Sequence, residues 1–68
     1  MDKPEWTGEL VRKMHINGIK RVELAEKIGC TRASVTMILN GTRKPDGAQG
    51  RFEAAVDAII EERRTQNV

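Results

Sequence analysis

Five cations in three places hold most of the chemistry this chain could do. Lys20-Arg21 and Arg43-Lys44 are adjacent pairs, and Arg32 stands alone between them. Between Arg12 and Arg51, nine lysines and arginines face three acids, Glu23, Glu26 and Asp46, while both ends of the chain are net acidic. A basic middle between acidic ends suits a small domain with one anion-facing surface. The solvated surface of an ordinary small helical domain gives the same pattern, so charge alone leaves both readings open. Other chemistry-bearing residues are scarce. His15 is the only histidine and Cys30 the only cysteine. With no second His or Cys and no acidic pair at ligand spacing, His15 reads as a surface residue, and no metal or cofactor is expected. A glycine-rich phosphate loop is absent and the chain is short for a concave pocket, so the expectation is no enzyme.

A single cysteine excludes an internal disulfide and suits a reducing compartment. The first fifteen residues are mixed and charged, without the apolar segment of a secretory signal. No stretch approaches eighteen apolar residues, so no membrane span is expected. These features point to the cytoplasm. The whole chain, residues 1–68, is expected to be one small domain.

The cations must be positioned by helices. Trp6, Leu10 and Met14, with Val11 beside them, form a stripe that predicts a helix from about Glu5 to Ile16. Pro4 suits its start, Met1 to Glu5 should fray, and Asn17-Gly18 stops it, with Ile19 packing inward. Trp6 reads as a core or rim anchor. Leu24, Ala25 and Ile28 give a second helix, about Arg21 to Ile28, a single apolar face. Gly29 ends that helix, and Thr31 is placed to cap the next. Val35, Ile38 and Leu39 form the apolar face of the third helix, which Asn40-Gly41 closes. Two such faces three residues apart meet only if the helices cross steeply, which makes residues 21–41 a helix-turn-helix. Thr42 to Gly47 has turn composition, and Gly47 and Gly50 bracket Ala48-Gln49, so a loop or irregular turn is expected there. Phe52, Ala55, Val56, Ile59 and Ile60 then predict a last helix from about Gln49 to Arg63, with Thr65 to Val68 unstructured.

The stretch from Ile19 to Pro45 resembles the helix-turn-helix of the phage-repressor family, the XRE-type group of the lambda, 434 and Cro-type regulators. Leu24-Ala25, Ile28-Gly29, Ser34-Val35 and Ile38-Leu39-Asn40-Gly41, followed by Arg43, Lys44 and Pro45, carry the resemblance in order. It implies an all-α, lambda-repressor-like domain. Many relatives continue with a short fourth helix and then a fifth, but with Gly47 and Gly50 bracketing Ala48-Gln49 four helices are expected here, five being the alternative. The last helix would replace the usual last two.

In that family the second helix of the motif lies in the major groove with its first residues against base edges. With Val35, Ile38 and Leu39 turned inward, Arg32, Ala33, Thr36 and Met37 are left to face bases. Arg32 is the best single candidate for base readout, since its planar fork matches the O6 and N7 acceptors of guanine, with contact to phosphate alone as the alternative. Ala33 and Met37 suit a thymine methyl, and Met37 also suits a gap in the core. Arg21 and Asn40 match positions that contact phosphate in the family. Lys20 and Arg21 oppose the dipole of the helix they begin, a placement that a bound phosphate relieves; the alternative is that they are solvated or pair with Glu23 or Glu26. Thr31, Thr42, Arg43 and Lys44 complete the expected backbone contacts, for about four to six phosphates per monomer.

Many phage repressors have glutamine where Arg21, Arg32 and Ala33 stand, so their operator preferences do not transfer. The function implied is a sequence-specific repressor of double-stranded DNA, bound as a homodimer to a pseudo-palindrome. Ile60 is a candidate for the dimer contact, against the simpler reading of the whole stripe as core. The alternative is a protein-interaction module with the same fold, such as an antitoxin or anti-repressor.

Overall fold

A computed structural model describes residues 5–66. Four α-helices follow one another: α1 (Glu5–Ile16), α2 (Arg21–Ile28), α3 (Arg32–Leu39) and α4 (Ala48–Gln66). No strand occurs among the described residues. Helix α2 packs on α3 and α4, and α1 lies against α3 and α4, so every helix borders one shared core. The expected boundaries of the first three helices match those observed.

The core sits where the motif meets the last helix. Leu24, Val35 and Val56 are completely buried, and Phe52 is 1% exposed. Burying side chains of this size contributes about 1.5–3 kcal/mol each. Trp6 is half-buried and meets Phe52 edge to face, with ring centroids 5.8 Å apart and planes at 84°. It is the anchor expected of it.

Helix α1 is rotated from its expected stripe. Thr7, Leu10 and Met14 are its buried residues, whereas Val11 is 38% exposed. Spacing i, i+3, i+7 thus describes the face better than i, i+4, i+8, because a threonine shares it. Thr7 is hidden without being orphaned: no buried side-chain nitrogen or oxygen among the described residues lacks a hydrogen-bond partner.

The first turn of the chain closes with two bonds. The Ile19 amide donates to the Met14 carbonyl at 2.8 Å and the Gly18 amide to His15 at 3.2 Å. This is the Schellman pattern, and the buried Met14 and Ile19 supply its apolar contact. Ile19 packs inward as expected.

Helix α4 is longer than expected at both ends. It begins at Ala48, which is buried, and runs to Gln66 instead of stopping at Arg63. Thr65, expected to be unstructured, is helical and donates its hydroxyl to the Glu62 carbonyl at 2.9 Å. Side-chain ties hold this end down: Lys27 pairs with Glu62, and Arg63 pairs with Glu23. Lys13 reaches Asp57 at 2.6 Å. Such long-range partners are invisible in local sequence. Glu5 likewise opens α1 where fraying was expected; Met1 to Pro4, Asn67 and Val68 lie outside the described residues. Ile60, offered above to a dimer partner, is half-buried and packed on the core. Residues 42–47 form a loop and turn with no helix of their own.

Candidate nucleic-acid interface

The motif is built by its caps. Gly29 adopts φ 91°, a left-handed conformation that lets α2 stop within one residue. Its amide and that of Cys30 both donate to the Ala25 carbonyl, at 2.8 and 3.0 Å. Thr31 caps α3, its hydroxyl oxygen accepting the Ser34 amide at 3.1 Å. At the start of α2, the Glu23 carboxylate accepts the Lys20 amide at 3.0 Å. Lys20 has no acceptor with which to return that bond, so the box is one-sided.

Arg63 completes this corner. Its guanidinium bonds the second oxygen of Glu23 and donates to the Asn17 carbonyl at 2.6 Å. The Lys20 amide, then Arg63, hold the Glu23 carboxyl below its ordinary value against a partial opposing effect of burial. Glu23 is therefore occupied; the nearby Lys20 charge adds a small further lowering, but neither Lys20 nor Arg21 forms an ion pair with it or with Glu26 among the described residues. Arg21 instead donates from Nη1 to the Thr36 hydroxyl at 3.3 Å, linking the start of α2 to the outer side of α3.

On α3, Arg32 and Ala33 are exposed, Thr36 and Met37 half-buried, and Val35, Ile38 and Leu39 buried. At 100° per residue, Ala33 and Met37 form a ridge pointing away from the core. The pair Arg32 and Thr36 lies on one flank of that ridge, and Ser34 and Ile38 on the other.

Each flank opens onto a cleft. Lys20, Arg21, Val22, Arg32 and Thr36 line the first, of about 460 Å³. The second, of about 580 Å³, has Ser34 and Ile38 on its α3 side and takes in Arg43, Lys44 and Arg51 over an apolar floor that includes Ile28 and Phe52. Met37 ties this side down through its carbonyl, which accepts the Thr42 amide at 2.9 Å and the Arg43 amide at 3.2 Å.

Charge is sorted accordingly. Of the described cations outside the two clefts, Lys13, Lys27, Arg63 and Arg64 each have a carboxylate partner, and Arg12 has none among the described residues. The cations of the two clefts have none among the described residues. The expected site residues thus gather in two groups, Lys20, Arg21, Arg32 and Thr36 at one cleft and Arg43 and Lys44 at the other. Ala33 and Met37 stand between them. Thr31, Asn40 and Thr42 are exposed at the ends of α3 and line neither cleft. Arg51, seven residues beyond Lys44, was not among the expected contacts. Only the fold shows that the turn into α4 brings it to that place.

Elsewhere, His15 is exposed and Cys30 half-buried in the turn of the motif. No three His, Cys, Asp or Glu side chains converge as a metal ion requires among the described residues. No described helix is long and apolar enough to cross a membrane.

The sequence pattern of the helix-turn-helix family matches residues 11–49, more than half of the chain. Neither the curated proteins nor the solved structures include a match to it. The matched segment runs from α1 through the whole motif to the first residues of α4, so all but one of the cleft cations lie inside it. The family is one of DNA-binding, non-enzymatic domains of the XRE type, found in transcription regulators. This chain belongs to the helix-turn-helix family.

Proposed function

We propose that the chain is a sequence-specific repressor of the phage or prophage type, with a lambda-repressor-like fold. Residues 1–68 act as one domain in the cytoplasm and occupy operator DNA as a homodimer. One observation carries this reading: the Ala33–Met37 ridge stands between two clefts, each lined by three cations without carboxylate partners. A B-DNA major groove is about 12 Å wide and has a phosphate strand on either side, so it offers the matching arrangement. Arg32, Ala33, Thr36 and Met37 take the base edges. Lys20, Arg21, Thr31, Asn40, Thr42, Arg43 and Lys44 take the backbone. Base contacts choose the site, while phosphate contacts supply affinity and make it salt-dependent. The dimer follows from the short stretch of DNA that one α3 can read, which two-fold pairing on a pseudo-palindrome doubles.

Selection of bound duplexes from random DNA, followed by mobility shifts at two salt concentrations, tests the proposal. The expected result is a two-fold-related consensus bound more weakly at the higher salt. Enrichment of no sequence at all, at any salt, sinks it. A co-purifying protein that covers Arg32 would support the interaction-module alternative.

A further inference from the structure

We propose that Arg51 is a further DNA-backbone contact, acting with Arg43 and Lys44 on the phosphate strand beside the Ser34 side of α3. The inference rests on the DNA-binding reading above and extends it beyond the motif, since Arg51 lies outside the matched residues 11–49.

Three observations carry it. Arg51, exposed in the first turn of α4, lines the same cleft as Arg43 and Lys44, which arrive from a different segment. No carboxylate lines that cleft. The acid nearest to Arg51 in sequence, Glu53, accepts a hydrogen bond from Gln49 at 3.3 Å and forms no ion pair with Arg51.

Like charges brought together over an apolar floor repel, and no ion pair among the described residues offsets them, although Asp46 lines a neighbouring cleft with Arg43 and Lys44. A bound anion would relieve that repulsion. Ser34 of α3 lines the cleft too, so an anion held there shares the footprint of the helix that reads bases. A phosphodiester strand fits better than an isolated anion, because the cations come from a loop and a helix and line an open cleft. The planar fork of arginine matches phosphate oxygens.

The test measures binding of full-length protein to its selected duplex over a salt series, together with phosphate-ethylation interference. Wild type, Arg51→Ala, Arg51→Lys and Arg12→Ala are compared. Arg12 is an exposed cation on α1 that lines neither cleft, and its loss changes net charge equally. Arg51→Ala is expected to reduce the slope of log K against log salt by about 0.9, the value for one phosphate. One ethylation block per half-site should disappear with it. Arg51→Lys should keep most of the slope, and Arg12→Ala should leave it unchanged. If Arg51→Ala keeps the wild-type slope and blocks, or Arg12→Ala loses as much, the inference fails while the DNA-binding reading stands. Wild-type protein that binds no duplex overturns both.

Discussion

Arg63 donates from Nη1 to the carbonyl oxygen of Asn17 at 2.6 Å, across 46 residues of chain. The same guanidinium bonds Glu23, whose other oxygen holds the Lys20 amide. A side chain near the end of α4 thereby closes the α1–α2 turn and fixes the start of α2. Both partners are about a third exposed, which keeps the contribution small. Arg63→Ala is expected to lower stability by about 1 kcal/mol. In a domain of this size that is a melting-temperature drop of about 4–8 °C, readable by calorimetry.

Acid should weaken the same corner. The carboxyl of Glu23 is held below its ordinary value of 4.5, so the folded protein favours the ionised form. Its contribution is present above that ordinary value and is lost as pH falls through the lower, folded one. Thermal melts between pH 6 and pH 3 should show wild type losing stability below about pH 4.5, more steeply than Glu23→Gln. Identical pH profiles for the two proteins would remove the assignment.

Gly29 tests the turn of the motif. A methyl group there would meet nothing within 4 Å, so steric crowding by neighbours is absent. Its φ of 91° is the only obstacle. Gly29→Ala should cost about 1–2 kcal/mol through the backbone alone. A stability unchanged in chemical denaturation would show that the turn tolerates side chains.

Arg32 and Lys44 should fail in different ways. Arg32→Ala is expected to relax discrimination at one base position, by about 1–3 kcal/mol, with other positions unaffected. Lys44→Ala should weaken all sequences alike and reduce the salt slope by about 0.9. Binding of each variant to every single-base substitution of the selected site separates the two patterns.

Much of the fold was legible because its signals are local. Gly18 and Gly29 end the first two helices, Thr31 caps the third, and Leu24 and Val35 mark the faces that meet. The failures have one cause, which is contact across the chain. Thr7 joins the core because neighbouring helices cover it, a fate that side-chain polarity does not predict. Helix α4 persists to Gln66 while Glu23 and Lys27 hold Arg63 and Glu62, and of residues 64–66 only Arg64, a cation suited to a helix end, hints at it. The same limit applied at the candidate interface. Lys20-Arg21 and Arg43-Lys44 announce themselves as adjacent pairs, whereas Arg51 joins Arg43 and Lys44 only once the turn into α4 has formed.

The Arg21–Thr36 hydrogen bond has a consequence for how binding would proceed. A guanidinium carries five N–H donors, and Thr36 takes one of them. Arg21 is thus held by the outer side of α3 while its remaining donors stay available to the phosphate proposed for it. A long side chain ordered only upon complex formation forfeits about 0.5–1.5 kcal/mol of rotamer freedom. Here part of that freedom is already given up in the unbound protein, so in the proposed complex Arg21 would meet the duplex preorganised.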